Sequence, residues 1–144
     1  MGETKSGFRV LVIDDSEIDR EITSRHLDKA WPFERELVLD YAADGDEALQ
    51  KTRSARYALF VLDWKLPLTS GGEVLRNLRQ LGVNAPVVIV SGLQRHQILD
   101  DIESLGAAFL NKDEMNAVTL HDAIADSLRL LGHKAPTQPS PSAT

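Results

Sequence analysis

The 144-residue sequence contains no cysteine, which excludes disulfide bonds, thiol catalysis and cysteine-ligated zinc. It also lacks long hydrophobic runs. Stretches such as Ala58–Leu62 are far shorter than the roughly 20 apolar residues of a transmembrane helix, and residues 1–7 lack the apolar core of a signal peptide. Positive charge is in the minority: 16 Lys and Arg against 22 Asp and Glu give a net charge of −6, whereas phosphate backbones bind basic surfaces. These absences predict a cytoplasmic domain with no membrane insertion and no direct nucleic-acid partner.

Short apolar segments alternate with segments of helical periodicity along most of the chain. Runs this short are typical of strands buried on both faces of a sheet. The predicted strands are Val10–Ile13, Glu36–Tyr41, Leu59–Leu62, Val87–Val90 and Ala107–Leu110, and a helix is predicted after each, over 16–29, 44–53, 70–81, 98–105 and 120–131. Strand–helix alternation predicts an α/β domain, a doubly wound five-stranded parallel sheet with helices on both faces.

Local signals place the helix ends. Ser70 and Glu73 form a capping box, and Ser16 with Asp19 forms a variant of it. The fourth helix is predicted from an apolar stripe of Ile98, Leu99, Ile102 and Leu105, and Gly106 would end it.

The end of the chain has a different composition. Half of the 6 prolines lie between residues 136 and 141, among Ser and Thr. We therefore predict a folded domain over residues 8–131, followed by a disordered Pro/Ser-rich tail or linker over residues 132–144.

Polar side chains follow four of the predicted strands. Asp14 and Asp15 end the first strand, Asp63 the third and Ser91 the fourth, and Lys112 lies just beyond the fifth. Because ligands of open α/β sheets bind at the carboxyl ends of the strands, we expect these groups to converge on one site.

Three neighbouring carboxylates need help to stay ionised. Two unit charges 4 Å apart repel by roughly 4 kcal/mol at an effective dielectric of 20, so either one carboxyl group is protonated or a cation sits among them. Mg²⁺ with oxygen ligands fits best. A metal, a lysine and a hydroxyl suit phosphoryl transfer, with Asp63 as the candidate nucleophile that forms an aspartyl phosphate.

At these residues the chain resembles the receiver domain of two-component response regulators, in particular the single-domain, chemotaxis-regulator-like form. The resemblance covers about residues 8–131. It rests on the order and spacing of Asp14–Asp15, Ala43–Leu49, Leu62–Pro67, Ser91–Gly92, Gly106–Ala107, Phe109 and Lys112. It implies a flavodoxin-like sheet with strand order 2-1-3-4-5.

The resemblance also implies roles for single residues. Asp63 would accept phosphate from a histidine kinase or phosphotransfer protein. Asp15 and Asp63 would ligate Mg²⁺ directly, Asp14 partly through water, and the backbone carbonyl of Lys65 would be a further ligand. Lys112 would pair with the phosphoryl oxygens.

A conformational switch is implied as well. Ser91 would turn inward to bind the phosphate, and Phe109 would follow it into the vacated space. The face formed by the fourth helix, fifth strand and fifth helix would change, and a downstream protein would read that change. The signalling domain itself would not be an enzyme beyond its own phosphorylation and autodephosphorylation.

The sequence departs from the family pattern after Lys112, where Asp113 replaces the usual proline. A cis bond before a non-proline residue costs about 2.5–4 kcal/mol, so we expect a trans peptide and a reshaped loop. Position 91 carries Ser where Thr is common.

Other hypotheses remain at this point. A magnesium-dependent phosphohydrolase also forms an aspartyl phosphate, but it would place a second aspartate where Lys65 stands. A pseudo-receiver would bind partners without phosphorylation, but the intact acidic trio, Ser91 and Lys112 argue against it. The chain would be either a complete single-domain regulator, which we prefer, or part of a longer one.

Overall fold

The computed structural model describes residues 8–31 and 36–134. In chain order its elements are β1 (Phe8–Ile13), α1 (Glu17–Ala30), β2 (Leu37–Ala42), α2 (Gly45–Ser54), β3 (Leu59–Asp63), β4 (Lys65–Leu66), β5 (Thr69–Ser70), α3 (Gly71–Gln80), β6 (Val87–Ser91), β7 (Ala107–Asn111) and α4 (Ala117–Lys134). Short 3-10 turns cover Arg95–Gln97, Glu103–Leu105 and Lys112–Glu114.

The five long strands form one parallel sheet in the order β2-β1-β3-β6-β7. This confirms the predicted order 2-1-3-4-5, because β4 and β5 form a separate small hairpin. The sheet forms because its central strands carry almost only apolar residues, and β3 and β6 are buried along their whole length.

Alternate residues of each strand face opposite sides of the sheet, so the core has two layers. One layer contains Leu11, Leu62 and Ile89, and it packs against Leu75 of α3. The other contains Val12, Val61 and Val90 and packs against α1 and α4. Helices therefore cover both faces of the sheet, as predicted.

The predicted fourth helix is wrong. The segment 92–106 between β6 and β7 forms 3-10 turns and loops instead. Ile98 and Ile102 are buried and Leu105 is half-buried, whereas Leu99 is 93% exposed. The apolar spacing thus serves the core without the continuous backbone of an α-helix.

The physical reason lies in Arg95. Its guanidinium donates to the carbonyls of Ile98 (2.7 Å) and Asp100 (3.0 Å). It also donates to both carboxylate oxygens of Glu103. In an α-helix those carbonyls would accept backbone N–H groups four residues later. Arg79 of α3 donates to the carbonyl of Leu105 (2.8 Å), which would lack a backbone partner at the end of the predicted helix. Arg95 thus satisfies two carbonyls that a helix would satisfy with its backbone.

Side chains also fix the helix starts. Ser16 Oγ accepts the N–H of Asp19, and Ser70 Oγ accepts the N–H of Glu73, both at 3.2 Å. The reciprocal bonds of a capping box differ from the prediction. The Ser16 N–H donates to Asp14 Oδ1 (2.9 Å), and Glu73 Oε1 accepts from Thr69.

The sequence pattern did not predict the β4–β5 hairpin, which follows the carboxyl end of β3. Gly71, directly after it, donates its N–H to the carbonyl of Trp64 (2.8 Å). A Cβ at position 71 would lie 2.7 Å from the Asp63 carbonyl oxygen. Glycine therefore allows the start of α3 to approach the end of β3.

Helix α4 continues to Lys134. Residues 135–144, the larger part of the predicted tail, lie outside the described residues. Within residues 8–31 and 36–134, no helix has the length and hydrophobicity to span a membrane.

Candidate functional site

The structure brings the sequence-predicted polar residues together at one edge of the sheet. Asp14 follows β1, Asp63 ends β3 and Ser91 ends β6, while Lys112 follows β7. The strands are parallel and adjacent, so their carboxyl ends open on the same side. A cleft of about 1000 Å³ lies there, lined among others by Asp15, Asp63, Lys65, Ser91 and Lys112.

Lys112 contacts three carboxylates. Its Nζ lies 2.9 Å from Asp19 Oδ2, 3.1 Å from Asp14 Oδ2 and 3.4 Å from Asp63 Oδ2. The first two contacts are hydrogen bonds. The lysine thus bridges β1, α1 and β3 from the loop after β7.

The sequence analysis missed Asp19 as a site residue. Its spacing from Ser16 indicated only a helix cap, which accounts for its backbone N–H. The available signal was its position in the first turn of the helix that directly follows Asp14 and Asp15. A side chain there projects toward the same edge of the sheet as the strand end.

Burial and charge set the protonation of the site. Burial, followed by the negative charge of Asp14, raises the pKa of Asp63 to about 6, although Lys112 and the Lys65 N–H pull it down. Burial alone would lower the pKa of Lys112, but its hydrogen bond to Asp19 and the charges of Asp63 and Asp14 raise it above its usual value. The charged form of Asp63 is therefore destabilised by its surroundings, and Lys112 stays charged.

Asp14, Asp15 and Asp63 form a group that fits a divalent cation. One carboxylate oxygen from each lies within 4.8 Å of the others. Asp14 and Asp63 are buried, whereas Asp15 is exposed. Carboxylate oxygens are the donors that Mg²⁺ prefers, and an exposed edge leaves room for retained waters.

Lys65 lies at the rim of the cleft in β4. Its N–H points to Asp63 Oδ1 at 3.4 Å, and its side chain is exposed. The role of its carbonyl as a metal ligand stays a prediction. Trp64, half-buried, also lines the cleft beside Asp63.

Ser91 is buried, and its Oγ accepts the N–H of Leu93 at 3.0 Å. Phe109 is half-buried and packs against the core layer beneath α2 and α3. Their predicted switch roles stay predictions. The hydrogen bond to Leu93 links Ser91 to the start of the segment 92–106.

Asn111 is a further buried polar residue that the sequence analysis did not single out. Its Nδ2 donates to the Leu93 carbonyl (2.9 Å), and its Oδ1 accepts the N–H of Asp113 (2.7 Å). It therefore ties the loop after β6 to the loop after β7. The Lys112–Asp113 peptide is trans, as predicted, and the chain continues in a 3-10 turn.

Comparison with known families decides the relationship. The family described as "Response regulator receiver domain" matches residues 10–131. The chain belongs to this family. The match covers β1 from Val10 onward, the other four strands of the parallel sheet and every residue of the candidate site.

Proteins similar to this chain include longer ones. A protein-glutamate methylesterase/protein-glutamine glutaminase from Treponema denticola is 31% identical over 134 residues, which cover 88% of this chain but 35% of that protein. Two-component response regulator ORR41 from Oryza sativa is 36% identical over 86 residues, covering 58% of this chain and 65% of that protein. The chain thus spans about a third of the methylesterase and less than two thirds of the rice regulator.

A solved structure agrees with the fold. The response regulator protein TrrA from Thermotoga maritima, in complex with Mg²⁺ and BeF, is 27% identical. The match covers 83% of this chain and 98% of that one, with a TM-score of 0.68.

Proposed function

We propose that this receiver domain accepts a phosphoryl group on Asp63 from the phosphohistidine of a histidine kinase or phosphotransfer protein. The observation that carries the proposal is that the Asp63 carboxylate is buried at the cleft, with its Oδ2 3.4 Å from the Lys112 ammonium. An Asp63 oxygen attacks the phosphorus, the phosphorus–nitrogen bond of the donor breaks, and the histidine nitrogen retains the electron pair. The product is an aspartyl phosphate.

The acidic group supports a role for Mg²⁺ in this transfer. Asp14, Asp15, Asp63 and the Lys65 carbonyl would hold the ion, which when bound neutralises charge on the phosphoryl oxygens. Lys112 contributes a second fixed positive charge, since its Nζ lies 3.1 Å from Asp14 Oδ2 and 3.4 Å from Asp63 Oδ2. An ammonium this close to Asp63 would stabilise negative charge on the phosphoryl oxygens.

The proposed output is a change of surface. Ser91 would leave the N–H of Leu93 to bind the phosphoryl group, and Phe109 would move into the space behind it. The affected face consists of segment 92–106, β7 and α4, and a downstream protein would bind it. The segment 92–106 takes the place that the sequence analysis gave to a fourth helix.

We propose a signalling domain and not an enzyme. A phosphohydrolase of the rival class would carry an acidic side chain where Lys65 stands at the rim of the cleft. Two residues beside the acidic group, the buried Ser91 and the charged Lys112, support phosphorylation. They favour this proposal over a pseudo-receiver.

Phosphorylation with acetyl phosphate, followed by mass spectrometry, tests the proposal. We expect one phosphoryl group on the wild-type protein with Mg²⁺ and none after chelation. Asp63→Asn should accept none, because the amide is not a nucleophile. Asp46→Asn, an exposed position in α2, is the matched control and should behave like the wild type. Equal labelling of Asp63→Asn would refute the assignment.

A further inference from the structure

Lys112 has more acidic partners than it can keep once a phosphoryl group is present. An ammonium has three donors, and the structure directs two of them to Asp19 and Asp14. One donor is left for Asp63, which lies farther, at 3.4 Å. A phosphoryl group on Asp63 would carry three terminal oxygens, so the ammonium can bind more than one of them only if it gives up Asp19 or Asp14.

Burial determines which contact that is. The Asp14 side chain is 3% exposed, whereas that of Asp19 is 40% exposed. If the lysine left Asp14, water could reach little of that buried carboxylate to replace the lost hydrogen bond, which is unfavourable. Asp19 can be rehydrated, and its place in the first turn of α1 lets the helix N-terminus stabilise its charge.

The local structure leaves the Asp19 carboxylate free for this contact. In a capping box this carboxylate would accept the Ser16 N–H. Here Asp14 Oδ1 accepts that N–H, while Ser16 Oγ still caps the Asp19 N–H. The cap therefore fixes the backbone of Asp19 and leaves its carboxylate to Lys112.

From these contacts we propose that Asp19 is a positioning residue, which holds Lys112 until a phosphoryl group on Asp63 replaces it. Asp19 thereby weakens binding of the phosphoryl group and favours the unphosphorylated state. This inference rests on the proposed function of Asp63.

Beryllofluoride with Mg²⁺ is a probe that imitates the phosphoryl group without chemistry. At Mg²⁺ concentrations that saturate every variant, we expect Asp19→Asn to bind it about three- to tenfold more tightly than the wild type by calorimetry. That range corresponds to the loss of one competing, half-exposed charged hydrogen bond. Asp19→Glu, which keeps the carboxylate, should stay near the wild type.

Removing any negative charge near the site would favour an anion, so a charge-matched control is needed. Glu17→Gln removes an exposed carboxylate from the same turn of α1, and we expect less than about a twofold effect on beryllofluoride binding. If Glu17→Gln tightens binding as much as Asp19→Asn does, the specific role of Asp19 is wrong. Unchanged or weaker binding by Asp19→Asn also overturns it.

A second measurement does not depend on the phosphoryl site. In metal-free protein, urea unfolding of Asp19→Asn, Lys112→Gln and the double variant gives the coupling between the two side chains. We expect the free-energy changes of the two single variants not to add up to that of the double variant. The difference should correspond to a factor of about three or more in the unfolding constant. Additive effects would refute the contact. Failure of the wild type to bind beryllofluoride, with coupling present, would instead count against the proposed function.

Discussion

Arg95 should hold the segment 92–106 in its observed conformation, and Arg95→Ala tests this directly. The guanidinium makes four hydrogen bonds within the segment: to both oxygens of Glu103 (2.8 and 2.6 Å) and to the carbonyls of Ile98 and Asp100. Alanine removes all of them at once. The backbone carbonyls then have to find water or a new conformation.

The expected loss follows from exposure. The side chains of Arg95 and Glu103 are 33% and 42% exposed, so solvent screens the ion pair and its contribution is about 0.5 kcal/mol. Each carbonyl contributes about 0.5 kcal/mol, the lower end for a hydrogen bond, because water reaches it after the change. Together Arg95→Ala should reduce the free energy of unfolding by about 1.5 kcal/mol.

Urea unfolding at pH 7 measures this loss, and hydrogen exchange of the amides in residues 98–105 shows where the structure opens. Arg76→Ala is the matched control, because Arg76 makes one exposed ion pair to Asp100 (3.0 Å). We expect a loss below about 0.5 kcal/mol for it. Equal losses in the two variants, or unchanged exchange in the segment, would refute the role of Arg95.

The pH dependence of the free energy of unfolding further tests the role of Arg95. The hydrogen bond from Arg95 lowers the pKa of Glu103 below the usual value of 4.5. A lowered folded-state pKa contributes stability that is complete above pH 4.5 and is lost as the pH falls through the folded-state pKa. The difference in unfolding free energy between wild type and Arg95→Ala should therefore narrow below about pH 4.5. A constant difference would show that the Glu103 pair contributes nothing.

Two further predictions concern the site. Millimolar Mg²⁺ should stabilise the fold by about 1 kcal/mol, since it binds only the native acidic group, and should therefore raise the melting temperature. Asp15→Asn should abolish this rise, and no rise in the wild type would contradict the metal site. Lys65→Ala should shorten the aspartyl-phosphate lifetime several-fold, because the exposed side chain can shield the phosphoryl group from water, while Mg²⁺ affinity stays nearly unchanged. Decay after removal of the donor measures it, and an equal or longer lifetime would refute the shielding.

The sheet was predictable because its strands are short and almost wholly apolar. In β3, every residue from Leu59 to Asp63 is buried, and no amphipathic helix could bury such a run on one side alone. Parallel strands then bring their carboxyl ends together, so the meeting of Asp14, Asp63, Ser91 and Lys112 follows from topology.

The segment 92–106 was not predictable from its apolar spacing. Ile98 and Ile102 satisfy helical periodicity, yet both are buried in the stretch between two 3-10 turns, without an α-helix. The choice depends on whether backbone or side chains satisfy the carbonyls. Arg95 supplies the side-chain donors through contacts that periodicity does not predict, and Arg79 adds a contact that spans 26 residues. The contact between Asp19 and Lys112, 93 residues apart, escaped prediction for the same reason.

The loop that replaces the helix bears on how a signal would leave the site. Ser91 Oγ accepts the N–H of Leu93, and Asn111 Nδ2 donates to the carbonyl of the same residue. If Ser91 turns to a phosphoryl group, Leu93 loses the first bond and keeps the second. Arg95, two residues on, anchors the remainder through Glu103. We therefore expect the first change to fall on residues 92–94, with Asn111 relaying it to Asp113 beyond β7, since a whole helix does not have to move.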